Sequence, residues 1–150
     1  MNSWLAAWPS IDGPMLNETD FRFHHLGVAC RDIDRELETW TRLGYAPEGE
    51  RFTDPIQKIH GLFIVGLGPR LELLSPAGPD SPVDGVLARG TKIYHQGFEA
   101  FDFDAALRDL PAAGARIVQP PAPAVAFGGR RIAFAMTATL NLIEIIEAPK

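Results

Sequence analysis

The sequence predicts an α+β fold built from two tandem βαβββ modules that are related by a pseudo-twofold axis and enclose a cleft. Three observations support this prediction: a segment that recurs after 70 residues, aspartates that can cap a helix at the same place in each copy, and strand-like stretches after each helix. The modules are expected at residues 21–76 and 92–148, with a linker at 77–91. They form one domain, residues 21–150, which follows an N-terminal extension at residues 1–20.

The repeat lays residues 24–44 over residues 94–114. Both copies begin with a strand-like stretch in which a histidine and a glycine stand two residues apart, so that they share one face of an extended chain. Apolar residues at helical spacing follow and predict a helix. The coinciding residues are His25 with His95, Gly27 with Gly97, Asp32 with Asp102, Asp34 with Asp104, Leu37 with Leu107, and Gly44 with Gly114.

Both predicted helices have start and stop signals. In the first copy, Asp32 or Asp34 can cap the helix, because a carboxylate accepts hydrogen bonds from the free N–H groups of the first turn. Gly44 can end it, since glycine readily adopts the left-handed conformation that follows many helices. The equivalent residues of the second copy predict the same start and stop.

The rest of the first module is expected to be strands. A short strand is predicted near residues 45–52, and two apolar stretches predict strands at 56–66 and 70–75, joined by the turn "LGP". Residues 81–90, "SPVDGVLARG", predict a short helical link between the modules.

The second module follows the same order. Its helix is followed by a short predicted strand near residues 115–119 and then by an extended connector at 119–129, whose prolines exclude a helix. Residues 130–138 and 140–146 predict the last two strands.

Composition excludes several kinds of partner. The net charge of -5 and the pI near 5.3 give no general attraction to nucleic acid or to an anionic membrane surface, so a small-molecule partner is expected. The start of the chain lacks a basic segment and its apolar run stops at Pro9, which argues against a signal peptide or a membrane span. The single cysteine, Cys30, fits a reducing cytoplasm. Trp4 and Trp8 are expected to pack on the domain or on a partner subunit.

Acidic residues also recur in the repeat. Glu72 lies 47 residues after His25, and Glu144 lies 49 residues after His95. Pseudo-twofold modules would bring these four side chains toward one cleft, where unpaired carboxylates are costly without a cation. Two imidazoles and two carboxylates suit a divalent ion such as zinc, cobalt, manganese, nickel or iron(II). No CxxC or HExxH motif adds to this signal.

Other polar residues surround these candidate ligands. His24 is expected on the strand face opposite His25, as a packing or supporting residue, whereas Glu99 shares the face of His95. Arg130 and Arg131 follow the glycine turn "FGG" and could hold a substrate carboxylate or phosphate, although ordinary solvated arginines fit equally well.

Six segments resemble the vicinal oxygen chelate superfamily, and within it the methylmalonyl-CoA epimerases. They occur in the family's order between about residues 23 and 147: "HHLGVACRDID", "LELLSP", "SPVDGVLARG", "YHQGFEA", "GGRRIAF" and "NLIEII". The resemblance implies paired βαβββ modules around a metal site, and it assigns metal ligation to the same two histidines and two glutamates. It also implies that a ligand carboxylate moves a proton next to a carbonyl while the metal binds substrate oxygen. Family members are often dimers, which implies a homodimer.

Two departures from the epimerases affect the expected reaction. Glu72 stands where the epimerases commonly carry glutamine and where bacterial glyoxalase I has glutamate. The epimerases also tend to carry an acid near Gly61, and the nearby polar candidates for substrate binding here are Gln57 and His60.

The leading hypothesis is therefore a metal-dependent isomerase or lyase, similar to methylmalonyl-CoA epimerase, with Glu144 and Glu72 as catalytic acids or bases and an acyl-CoA or other small carbonyl compound as substrate. A glyoxalase I-like lactoylglutathione lyase is the nearest alternative. An iron-dependent ring-cleaving dioxygenase uses two histidines and one glutamate, so a fourth ligand argues against it. A metal-free drug-binding protein of the same fold is the alternative from another class.

Overall fold

The computed structural model describes residues 14–150, in which nine strands form a single mixed sheet. Trp4 and Trp8 lie outside the described residues, so their packing stays a prediction. The first half contains β1 (Phe21–Ala29), α1 (Ile33–Arg42), β2 (Ala46–Pro47), β3 (Phe52–Asp54), β4 (Ile59–Val65) and β5 (Leu71–Pro76), and α2 (Pro82–Ala88) links it to the second half. The second half contains β6 (Ile93–Ala100), α3 (Phe103–Asp109), β7 (Arg116–Pro123), a 3₁₀ turn (Val125–Phe127), β8 (Arg131–Met136) and β9 (Leu142–Glu147).

The order of strands confirms the predicted α+β fold with pseudo-twofold modules. The strands run β2-β4-β5-β1-β6-β9-β8-β7, and β3 pairs with β4. β1 and β6 are antiparallel neighbours at the centre, and each has the last strand of its own half as a parallel neighbour, β5 and β9 respectively. The two halves therefore meet along one strand pair, and the same pairing order runs outward from it.

Helices α1 and α3 cover one face of the sheet, whereas the other face forms the cleft, where α2 packs with Ile59 and Leu74. Leu37 and Trp40 of α1 pack against the buried cluster that contains Ile64 and Leu73, while α3 packs in the cluster that contains Ile145. Alternate residues of the same strands face the other way, because successive side chains of a strand point to opposite faces. None of the helices in residues 14–150 is long and apolar enough to cross a membrane.

The helix caps lie where the repeat predicts them. Asp32 caps α1 by accepting hydrogen bonds from the N–H groups of Asp34 and Arg35, at 2.8 and 3.3 Å. Asp102 caps α3 by accepting from Ala105 N–H at 3.0 Å. Of the two aspartates proposed for each copy, the first is thus the cap.

The connector predicted at 119–129 is more structured than its prolines suggested. β7 continues through Pro120 and Pro121 to Pro123, and residues 125–127 form the 3₁₀ turn. Proline is tolerated in β7 because this strand lies at the edge of the sheet and its pairing with β8 shifts register twice. The strand predicted near 45–52 is divided into the short β2 and β3.

Candidate metal centre

Four adjacent strands at the middle of the sheet each contribute one predicted metal-ligating side chain. His25 lies on β1, Glu72 on β5, His95 on β6 and Glu144 on β9. All four are buried, with at most 4% of each residue exposed. The structure thus brings together the four side chains that the repeat and the resemblance indicated.

Two glycines lie beside the four candidate ligands in the sheet, and each pairs with one of the histidines and one of the glutamates. Gly27 pairs with Glu72 on one side and with His95 on the other. Gly97 pairs with Glu144 and with His25 in the same way.

Each glycine also leaves room for the imidazole opposite it. A Cβ atom on Gly27 would lie 2.5 Å from the His95 ring, and one on Gly97 would lie 2.4 Å from the His25 ring. The glycine of each half therefore makes room for the histidine of the other half. This close approach explains why the His-x-Gly motif recurs.

The four ligand atoms lie close together. The Nε2 atoms of His25 and His95 are 2.9 Å apart. Glu72 Oε2 lies 2.9 Å from His25 Nε2 and 3.4 Å from His95 Nε2. Glu144 Oε2 lies 3.2 and 3.3 Å from the same two nitrogens.

The proximity of opposite charges determines the protonation of the metal-free cluster. Burial alone would lower the pKa of His25, yet the carboxylates of Glu72 and Glu144 raise it to about 10. Burial also opposes ionisation of Glu144, but the charge of His95 and contacts with both imidazoles lower its pKa to about 2. The pKa of His95 is raised and that of Glu72 is lowered in the same way, in each case against the effect of burial. The carboxylates thus favour protonation of the imidazoles, and the imidazoles favour ionisation of the carboxylates.

The arrangement fits a metal ion because the atoms face a common point rather than forming separate pairs. Glu144 Oε2 accepts no well-aligned hydrogen bond within residues 14–150, although both Nε2 atoms are near. Five of the distances among the four atoms lie between 2.9 and 3.4 Å. A point central to them is about 2 Å from each, the length of a zinc–nitrogen or zinc–oxygen bond. The cluster could therefore hold a divalent ion.

His24 lies beside His25, so the prediction that it faces the opposite side is wrong. The pairing of β1 with β6 shifts register between Phe23 and His25, and an irregularity of this kind re-aims a side chain. His24 Nδ1 lies 2.9 Å from His25 Nδ1. Its ring packs edge-on against Phe63 and Phe127.

A buried carboxylate stands behind His24. Glu99 Oε1 lies 3.7 Å from His24 Nε2, and Glu99 Oε2 accepts a hydrogen bond from Arg22 Nη2 at 3.0 Å. Arg130 Nη1 lies 3.6 Å from the same oxygen. If His25 presents Nε2 to a metal, its proton resides on Nδ1, and His24 Nδ1 can accept that proton in a hydrogen bond.

Replacing His24 with leucine is expected to weaken zinc binding about 10- to 100-fold, the usual effect of losing a group that orients a ligand. Burial and, second, His25 lower the pKa of His24 to about 4, so its ring is neutral and able to accept the hydrogen bond. Zinc affinity can be measured by competition with a chromophoric chelator. His60→Leu is the matched control, and equal affinities in the two variants would contradict the orienting role.

The predicted substrate-binding residues divide between the two faces of the sheet. Gln57 lines the cleft beside His95 and the two glutamates. His60 lies on the opposite face, since it pairs with Ser75, three residues from Glu72, and its Nδ1 is 2.7 Å from Thr53 Oγ1. The structure therefore does not place His60 in the cleft.

The two arginines are also separated. Arg131 extends toward the helices, where it makes ion pairs with Glu147 and Asp104 at 2.8 and 3.0 Å. It does not reach the cleft. Arg130 stacks over Phe127 at the rim, and its Nη1 donates to the carbonyl of Glu147 at 2.6 Å.

A small apolar cavity adjoins the candidate ligands. Its volume is about 30 Å³, enough for a small group. The ring of Phe52 covers Gly61 so closely that a Cβ there would lie 2.2 Å from it, so the ring would have to move to admit a side chain at this position. The lining residues include Ile59, Leu74, Tyr94, Phe127, Ile132 and Phe134.

Sequence analysis missed Asp54, which is 1% exposed and joins the two halves at this cavity. Its Oδ1 accepts hydrogen bonds from the N–H groups of Ile56 and Gln57, at 2.9 and 3.0 Å. Its Oδ2 accepts from Val125 N–H at 3.0 Å. The Asp54-Pro55 pair is a turn signal in the sequence, but nothing in it indicated the contact with the second half.

Comparisons with known proteins show what the chain is similar to. Residues 24–134 match the profile of the glyoxalase/bleomycin resistance protein/dioxygenase superfamily. The ethylmalonyl-CoA/methylmalonyl-CoA epimerase of Cereibacter sphaeroides is 28% identical over 115 residues, which cover 75% of this chain and 86% of that protein.

Solved structures show the same likeness. The methylmalonyl-CoA epimerase of Mycobacterium tuberculosis matches with a TM-score of 0.73 and 27% identity, covering 85% of this chain and 88% of that one. A variant of the Streptomyces coelicolor methylmalonyl-CoA epimerase in complex with 2-nitronate-propionyl-CoA matches with a TM-score of 0.71 and 25% identity, covering 86% and 98%. The chain is therefore similar to these epimerases in both sequence and fold.

Proposed function

Because the chain belongs to the glyoxalase/bleomycin resistance protein/dioxygenase superfamily, we propose that it is a metal-dependent enzyme that moves a proton on the carbon next to a carbonyl or thioester. The substrate class is a small acyl-CoA, as the names of its epimerase relatives suggest. We further propose that residues 21–150 act as one domain. The homodimer and the cytoplasmic location stay predictions.

The observation that carries this proposal is the pair of buried carboxylates that flank the two histidines. Glu72 and Glu144 lie on the strands outside β1 and β6, one from each half. With two buried carboxylates, one can accept a proton from one face of the substrate carbon while the other delivers a proton to the opposite face.

The roles of the residues follow from this placement. His25, His95, Glu72 and Glu144 would hold a divalent ion, which when bound would polarise the substrate carbonyl and make the adjacent proton more acidic. Glu144 would accept that proton as the electron pair of the broken C–H bond moves toward the carbonyl oxygen. Phe63 and Phe127, which pack against the His25 ring, would limit the access of water.

A glyoxalase I-like lyase is the second candidate, and one observation favours it. Phe52 covers Gly61, so a carboxylate cannot act from that position, and the reaction depends on Glu72 and Glu144. Glutamate at the position of Glu72 is what the resemblance assigned to bacterial glyoxalase I. A metal-free binding protein has no evident need for four buried ligand groups around one point.

The first experiment measures metal. Protein purified without chelator is expected to contain about one divalent ion per chain, and His25→Ala and Glu72→Ala are each expected to lose it. Because the pKa of His25 is raised to about 10, its imidazolium proton must leave when metal binds. After metal has been removed with a chelator, the apparent affinity of the protein for zinc is therefore expected to increase from pH 6 to pH 8. Absence of metal, with no binding on addition, would contradict the proposal.

The second experiment measures the reaction. The metal-loaded protein is incubated in D₂O with methylmalonyl-CoA and, separately, with the hemithioacetal of methylglyoxal and glutathione. Exchange of the α-proton of the acyl-CoA would support the epimerase, and formation of the thioester from the hemithioacetal would support the lyase. If neither substrate reacts, the proposed function fails.

A further inference from the structure

The side chain of Gln57 presents an unpaired amide to the cavity beside the candidate metal centre. The residue is 8% exposed, and its Oε1 accepts a hydrogen bond from Gln119 Nε2 at 2.6 Å. Its Nε2 has no hydrogen-bond partner within the described part of the chain. A buried donor without a partner is destabilising, so a ligand that supplied an acceptor here would recover that loss.

Contacts from both halves fix this amide in place. The Asp54 carboxylate accepts from the backbone N–H of Gln57 and, through its other oxygen, from Val125 N–H. Gln119 on β7 then holds the Oε1 atom of Gln57. Because both ends of Gln57 are held, its Nε2 is oriented before any ligand binds, which reduces the entropy lost on binding.

The residues that line the cavity restrict which ligand groups can accept a hydrogen bond from Gln57 Nε2. Apart from Asp54, whose two oxygens are already engaged, the ionisable groups at the cavity are Tyr94 and the candidate ligands His95, Glu72 and Glu144. None of the lining residues within 14–150 is lysine or arginine. A carboxylate at Gln57 Nε2 would therefore have no lysine or arginine among these lining residues to pair with, which favours an uncharged acceptor there. An uncharged oxygen acceptor on a small group fits the cavity.

We propose that Gln57 Nε2 donates a hydrogen bond to an uncharged carbonyl oxygen of the substrate and so positions it beside Glu72 and Glu144. This assignment rests on the proposed function, because it supposes a carbonyl or thioester substrate at the same site. In this assignment Gln57 is a substrate-binding residue. The group that it recognises is an uncharged carbonyl oxygen and not a carboxylate.

The test compares two variants with the same chemical change. Gln57→Met keeps the length of the side chain and removes the donor, whereas Gln96→Met makes the same change at an exposed glutamine on β6. Both are loaded with zinc and assayed with methylmalonyl-CoA and with the methylglyoxal–glutathione hemithioacetal. Gln57→Met is expected to lower kcat/KM about 10²-fold, as loss of one oriented donor commonly does. Gln96→Met is expected to stay near the parent value, and zinc affinity is expected to be equal in all three proteins.

The other outcomes separate the two proposals. Parental kcat/KM in Gln57→Met, or an equal loss in both variants, would overturn the assignment of Gln57 and leave the proposed function intact. Weaker zinc binding in Gln57→Met would show a structural role and would also overturn it. If the zinc-loaded parent converts neither substrate, the proposed function fails, and the assignment of Gln57 fails with it.

Discussion

Replacing Glu144 with glutamine is expected to slow α-proton exchange about 10³-fold while the fold is retained, because the amide cannot accept the proton. The change preserves the shape of a side chain that is 3% exposed and lies within 3.3 Å of both imidazole Nε2 atoms. Exchange is followed by ¹H NMR in D₂O as the α-proton signal of methylmalonyl-CoA disappears. Zinc content is measured on the same sample, so that loss of the base is distinguished from loss of metal.

Glu147→Gln is the matched control. It lies on the same strand, three residues away and on the opposite face, where it pairs with Arg131. Its removal is expected to leave the exchange rate unchanged. Exchange at the parental rate in zinc-loaded Glu144→Gln would remove Glu144 from the role of base and leave Glu72 as the other carboxylate of the ligand cluster.

Replacing Gly97 with alanine is expected to lower zinc affinity more than 100-fold, on the order of the largest effects that supporting residues have on metal sites. The new methyl group would lie 2.4 Å from the His25 ring, and both the ring and the strand beneath it are buried. The ring must move away from the ligand cluster, or the pairing of β1 with β6 must shift. Overpacking of this kind also destabilises a protein by about 1–3 kcal/mol. After metal has been removed with a chelator, zinc titration measures the change in affinity and urea unfolding measures the change in stability.

Gly85→Ala provides the control for this substitution. Gly85 lies inside α2, and its added Cβ would meet only the end of the flexible Arg89 side chain, at 3.4 Å. The change is expected to leave zinc affinity unaltered and to stabilise the protein by up to about 1 kcal/mol through helix propensity. Parental zinc affinity in Gly97→Ala would show that the close approach of the two halves does not position the imidazole.

The fold could be predicted because the repeat constrains it strongly. Once His25 and His95 are taken as equivalent, the helix that follows each strand and its capping aspartate are fixed relative to them. The convergence of Glu72 and Glu144 with these histidines then follows from the symmetry of the strand order β5-β1-β6-β9.

Features that break the regular alternation of a strand could not be predicted in the same way. The shift in register near His25 brings His24 to the same side, and no pattern of residue types marked it. His60 and Arg131 are polar residues close in sequence to the cleft, but strand alternation turns both of them to the helix-covered face. The contact of Asp54 with Val125 depends on how the two halves meet.

The reciprocal fit of His25 over Gly97 and His95 over Gly27 bears on the ancestry of the fold. Each half contributes one histidine, one glutamate and one glycine to the site. Two identical copies of such a half, associated along their first strands, would complete the site around a true symmetry axis without being covalently joined. Fusion of the copies would then allow them to diverge away from the axis, where one half has the short β2 and β3 and the other has the long, proline-rich β7.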